Sequence, residues 1–224
     1  MSTRRAVRVA GVDFSRTELR DLAVAWIVLG IAFTVVMNFR SVQALARGGA
    51  VDVAGLAGTF ALTLATVGLG FLCHELGHKV VAVRFGQVAE FRADYNMLVF
   101  ALLGSLLGFV FAAPGAVHHR GRLSLREQGL IALAGPLVNV GLALGFALLL
   151  AVGGGLPLLY VAAFGFFINV FLAAFNMIPF GPLDGRTVLD WSLPVFLAVF
   201  VPTAAFTVDL LGLIDIPYVG LPVL

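Results

Sequence analysis

Two histidines and a glutamate fall within five residues, His74-Glu75-Leu76-Gly77-His78. On a helix, residues four apart share a face, so the two imidazoles can hold one metal ion. Glu75 follows His74 on the turn and is placed as a general base towards a water at that ion. This is the zinc-hydrolase pattern. The chain has only four histidines and four glutamates. Chance assembly of His-Glu-x-x-His from so few is on the order of one in a thousand. The competing reading is a membrane helix whose histidines bond to neighbouring helices.

A catalytic zinc takes three protein ligands and keeps one open position. The third ligand must come from elsewhere in the chain. His118 and His119 are adjacent, in a predicted loop with Arg120 and Arg122 after them, and read as interfacial polar residues. Cys73 lies about 100° round the helix from His74 and reads as a small buried hydrophobe. Asp184 is the better candidate. It sits in FNMIPFGPLDGR, residues 175–186, where Pro179, Gly181 and Pro182 stop an apolar helix. Unwound backbone at membrane depth is tolerated only beside protein or a water-filled cavity. Such a break lets the carboxylate turn inward, and Gly185 leaves room for it. The alternative is an ordinary turn between helices with an aspartate at a cap.

The sequence resembles the site-2 protease family of intramembrane zinc metalloproteases. The resemblance rests on His74-Glu75-Leu76-Gly77-His78 at the end of one helix, and on Asn176-Met177-Ile178-Pro179 leading to Pro182-Leu183-Asp184-Gly185 at the end of another. LAGPLVN, residues 133–139, also looks like the family's pattern. The match covers about residues 55–190. It implies that His74, His78 and Asp184 bind one zinc ion, that Glu75 activates water, and that Asn176 helps to hold the substrate or the oxyanion. The family cuts transmembrane segments of other proteins within the bilayer, often to release a cytosolic regulator. Some relatives carry PDZ or CBS domains, for which 224 residues leave no room.

The elements that must position these residues are membrane helices. The chain is 61% hydrophobic and only 12% charged, with mean hydropathy +1.06. A soluble domain carries about 25% charge. The composition implies an all-α polytopic membrane protein, one membrane-embedded domain over residues 1–224 with no soluble domain. Five segments approach the ~20 residues needed to span a bilayer: 22–39, 55–80, 129–152, 157–178 and 188–212. Small residues spaced for close helix contact appear at Gly104/Gly108 and Gly141/Gly145, a spacing that chance also supplies among 26 glycines. One cysteine rules out an internal disulfide framework, and no basic stripe suggests nucleic acid. The expected partners are the bilayer and transmembrane protein substrates. The oligomeric state stays open.

Arg4, Arg5, Arg8, Arg16 and Arg20 precede a 16-residue apolar run, and Ala44-Leu45-Ala46 follows it. A cleavable signal peptide has this outline. Asp13, Glu18 and Asp21 in the leader favour a retained helix with a cytoplasmic N-terminus. The second helix then returns, so Lys79, Arg84 and the active site lie nearer the cytoplasmic face. His78 and Asp184 can meet only if an even number of crossings separates them. Segments 129–152 and 157–178 supply two, so 97–113 must be re-entrant or membrane-associated. Were it to span, Arg120, Arg122 and Arg126 would lie outside, against the positive-inside rule. Residues 81–97 alternate enough to predict a strand or small β-hairpin near the active site, an edge on which an unwound substrate could pair. Two other functions share the ligands: a zinc transporter or sensor, and a catalytically inactive membrane scaffold.

Overall fold

The computed structural model of the protein describes residues 7–9, 11–110 and 114–212. Five of its helices are long and apolar enough to cross a membrane. The first is α1 (Arg16–Met37), started by Ser15, whose hydroxyl accepts the Glu18 N–H. A short helix α2 (Phe39–Ala46) follows it. The second span, Val53–Arg84, comprises α3 (Val53–Thr63), a π-helical turn at Leu64–Gly68 and α4 (Leu69–Arg84). The third is α6 (Leu125–Val152), opened by a reciprocal Ser124–Glu127 capping box. The fourth is α7 (Leu156–Asn176) and the fifth α9 (Leu193–Leu210). The predicted polytopic helical class is the observed one. Helix α6 is central, with α4, α7 and α8 (Asp184–Trp191) packed on it.

Four local features differ from the expectation. The predicted span 188–212 is two helices, α8 and α9, separated by extended Ser192. Pro194 explains the break: it lacks an N–H and its ring would clash with the carbonyl of Asp190 in a continuous helix, but it fits a first turn. The N-terminal leader folds into an antiparallel hairpin, β1 (Val7–Val9) with β2 (Val12–Phe14); Arg4 and Arg5 lie outside the described residues. Gly141 and Gly145 face open space rather than a neighbouring helix. Close packing falls elsewhere, as where Gly165 of α7 meets the ring of Phe146. Finally, Lys79 is buried rather than interfacial.

The segment after α4 behaves as parity required. Strand β3 (Val88–Ala93) forms within the stretch predicted to hold one. Its partner is β4 (Gly115–Arg120), not a neighbour inside 81–97, with Phe91 opposite Val117. Between the strands lies α5 (Tyr95–Ser105), whose 11 residues extend about 16 Å, half a bilayer. The Asp94 N–H donates to the Pro114 carbonyl at 3.0 Å, so the excursion closes on itself. The segment leaves and returns on one side. Along the way α5 lies against α1, and the turn at Gly108, with φ +89°, meets the Phe39 ring.

Two clusters position the site. Leu22, Ala25 and Leu29 of α1 pack with Phe71, Phe91 and Leu98, which seats the sheet against α1 and α4. Ala132, Leu133, Met177, Val188 and Phe196 join α6 to α8, α9 and the end of α7.

Candidate metal centre

His74 and His78 project from one face of α4, as their spacing requires. Asp184 arrives from the first turn of α8. The chain gets there because α7 ends at Asn176 and the following turn passes through Gly181 at φ +61°. Gly185 then lies directly against the Met177 backbone; a β-carbon there would overlap its carbonyl. Only glycine lets α8 fold back this tightly on the end of α7, and that folding aims the carboxylate.

The three side chains converge. His74 Nε2 and His78 Nε2 are 2.9 Å apart, and Asp184 Oδ2 is 3.1 and 3.3 Å from them. Both imidazoles are buried. His78 Nδ1 lies 2.7 Å from the Ile131 carbonyl, which can only accept, so Nδ1 carries the proton and Nε2 presents a lone pair. His74 Nδ1 lies 2.7 Å from Asn139 Oδ1, with the same consequence. Asp184 Oδ2 is buried without a hydrogen-bond partner. Three electron-pair donors thus face one another with no proton between them, which is repulsive unless a cation sits there. A tetrahedral ion with bonds of about 2.0–2.1 Å to nitrogen and oxygen sets its ligands about 3.3 Å apart. The donor set fits such an ion. The space is also guarded: a β-carbon at Gly135 of α6 would run into Nε2 of both histidines.

Glu75 is buried beside this group, and its carboxylate faces the backbone N–H of Val117 on β4. The strand register explains that contact. The Phe91 and Ala93 N–H groups of β3 turn away from β4 and donate to Glu18 (3.0 Å) and Asp21 (3.4 Å) of α1. In an antiparallel pair the residues opposite them also turn outward. Val117 and Gly115 therefore present their backbone groups on the far edge of β4, where Val117 faces Glu75. Among the described residues, that edge has no strand neighbour.

The other candidates are dispersed. The Asn176 amide donates to the Leu172 carbonyl of its own helix at 3.0 Å and, among the described residues, makes no hydrogen bond to His74, His78 or Asp184. Cys73 is half-buried in an apolar groove with Leu76, Gly77 and Val138, apart from the ligand group. His118 is exposed on β4, with Nδ1 near the Ala116 carbonyl; of His119 only the backbone is described. Sequence reasoning assigned no role to Asn139, Asn169 or the Glu18–Lys79 pair. The available signal was a polar side chain inside an apolar helix.

Comparison with known proteins agrees with this geometry. No family model matches the chain, and no solved structure matches it. The chain is 39% identical over 196 residues to "Putative zinc metalloprotease MJ0611" of Methanocaldococcus jannaschii, covering 86% of this chain and 94% of that protein. It is 32% identical over 148 residues to "Putative zinc metalloprotease YwhC" of Bacillus subtilis, covering 58% of this chain and 68% of that one. With this identity across 94% of the first of these proteins, and with a three-donor centre among five membrane-length helices, the chain belongs to the zinc metalloprotease family of these relatives.

Proposed function

We propose that the protein is an intramembrane zinc metalloendopeptidase of the site-2 protease type, cutting transmembrane segments of other proteins. The observation that carries this reading is the convergence of His74, His78 and Asp184, with Glu75 beside them, between the ends of helices long enough to span a bilayer. Zinc bound there supplies a Lewis acid that acidifies a water and polarises the scissile carbonyl. Glu75 takes the proton from the attacking water and returns it to the leaving amine. His74 and His78 keep their Nδ1 protons on Asn139 and Ile131 throughout, so neither imidazole competes as a base. Asn176 turns from Leu172 to hold the substrate backbone or the oxyanion.

A helical substrate hides its carbonyls and must unwind. The open edge of β4 beside Glu75 offers an unwound segment the backbone pairing that it loses. The described basic residues support a cytoplasmic site. Arg8, Arg16, Arg20, Arg84, Arg92, Arg126 and Arg186 belong to elements at the site's end of the bundle and Arg122 to the loop between two of them, whereas Arg40 and Arg47 follow the far end of α1.

The test is co-expression with candidate single-span membrane proteins, comparing wild type with Glu75→Gln. The variant is expected to keep its zinc and to lose cleavage by about 10²–10⁴-fold. Cleavage at the wild-type rate by Glu75→Gln would remove Glu75 from the chemistry.

A further inference from the structure

Deep among the helices, beyond the ligands themselves, lies a second group of polar side chains. Asn139 of α6 and Asn169 of α7 are both 0% exposed, in helices that are otherwise nearly all apolar. A polar side chain is costly in hydrocarbon unless every group is matched. Here the bonds form a directed chain. Asn169 Nδ2 donates to the Gly165 carbonyl of its own helix at 2.8 Å, which fixes Asn169 Oδ1 as an acceptor. Asn139 Nδ2 donates to that Oδ1 at 3.0 Å and to the Gly70 carbonyl of α4 at 3.1 Å. With both amide protons used, Asn139 can offer only Oδ1 to His74 Nδ1, at 2.7 Å. A flipped Asn139 would set its oxygen against the two oxygens that now accept from it. The packing leaves little room for such movement: a β-carbon at Gly70 would press on Asn169 Oδ1.

We infer that Asn139 and Asn169 form a positioning relay that holds His74 in the tautomer and ring orientation able to bind the metal. The inference rests on the proposed zinc site and assigns it two supporting residues that touch neither metal nor substrate. The relay joins α4, α6 and α7, so the packing of α7 against α6 is felt at His74. Such outer partners of metal-binding histidines typically account for 10–100-fold in metal affinity.

A relay differs from simple polar glue between membrane helices in which property follows which atom. The acceptor to His74 governs metal affinity; the donors govern helix packing. The experiment uses the full chain in detergent micelles and measures zinc affinity by chelator competition, together with thermal unfolding of the metal-free protein. Asn139→Ala removes the acceptor and is expected to weaken zinc binding about 10–100-fold. Asn139→Asp keeps an acceptor but loses both donors. It is expected to hold zinc within about threefold of wild type while unfolding at lower temperature. Asn169→Ala leaves the acceptor but frees Asn139 to turn, and its affinity is expected to fall between the two. Adding excess zinc is expected to restore the cleavage rate of Asn139→Ala without changing KM. If Asn139→Ala binds zinc within about twofold of wild type, or if Asn139→Asp binds as weakly as Asn139→Ala, the relay is wrong and the pair serves packing alone. Wild-type protein that binds no zinc would instead overturn the proposed function itself.

Discussion

At the scale of single residues, the centre depends on what is missing as much as on what is present. Gly135 is the clearest case, because its absent side chain is the space in front of both Nε2 atoms. Gly135→Ala keeps helix propensity, since alanine is the better helix former. It is nevertheless expected to abolish stoichiometric zinc binding while the protein stays folded. Metal analysis of the purified variant beside its circular dichroism spectrum checks this; a full zinc complement would show that the ion lies elsewhere. Gly185 plays the corresponding part for Asp184, through contact with the Met177 backbone. The HELGH spacing announced the histidines in the sequence, and Gly185 was legible after the broken helix as the residue that leaves room for the carboxylate. Gly135 lay within the LAGPLVN stretch that resembles the family's pattern, yet the linear pattern gave no sign that it clears the space before the imidazoles. Only packing shows which of 26 glycines are needed.

At the scale of elements, the start of α1 is fastened to the helix that carries the histidines. Lys79, the residue after His78, donates to both oxygens of Glu18 at 2.6 and 2.5 Å and to the Asp13 carbonyl at 2.7 Å. Its ammonium also lies over the Phe14 ring, 3.9 Å from the centroid. Both side chains of the pair are 1% exposed. Glu18 accepts the Phe91 N–H as well, so one carboxylate ties α1 to α4 and to β3. Removing one member of a buried pair strands the other charge, at a cost of about 3–5 kcal/mol. Glu18→Ala is therefore expected to lower the thermal midpoint sharply. The double change Glu18→Leu with Lys79→Met is expected to recover most of the loss. Differential scanning measurements on the two variants decide it, and equal destabilisation in both would show that the charges are not the issue. The sequence presented Glu18 as part of a mixed-charge leader and Lys79 as a topology marker. Their pairing across 61 residues was not legible, because no local pattern encodes a contact between two helices.

At the scale of the whole molecule, the hairpin β1–β2, the sheet β3–β4 and α8 gather at one end of the bundle, with the ligands just inside it. Single cysteines placed at Arg8 and Arg122, in a Cys73→Ser background, are expected to react with a membrane-impermeant thiol reagent from the same side. One at Arg47 is expected to react from the other. Labelling of the Arg8 and Arg122 positions from opposite sides would contradict the closed excursion between β3 and β4. Zinc should also stabilise the entire fold, because its ligands join α4 to α8. At a hundred times the dissociation constant, the linkage amounts to about 2.7 kcal/mol. Chelation is expected to lower the thermal midpoint reversibly, and an unchanged midpoint would mean that the metal does not bridge the two helices.

Residue spacing and composition were enough to specify the donor chemistry and the membrane setting. Helical spacing fixes two imidazoles on one face wherever the helix is placed, and apolar runs of bilayer length must be helical because lipid satisfies no backbone group. An even number of crossings between His78 and Asp184 followed as well, since two side chains that are to meet must share a depth. Tertiary structure decided what depends on contacts between distant segments: that β3 takes β4 as its partner after a closed detour, that Glu18 neutralises Lys79, and that Asn139 faces His74. Hydrogen bonds and ion pairs of this kind are set by which faces of which helices meet, and a linear pattern of hydropathy carries no record of that choice.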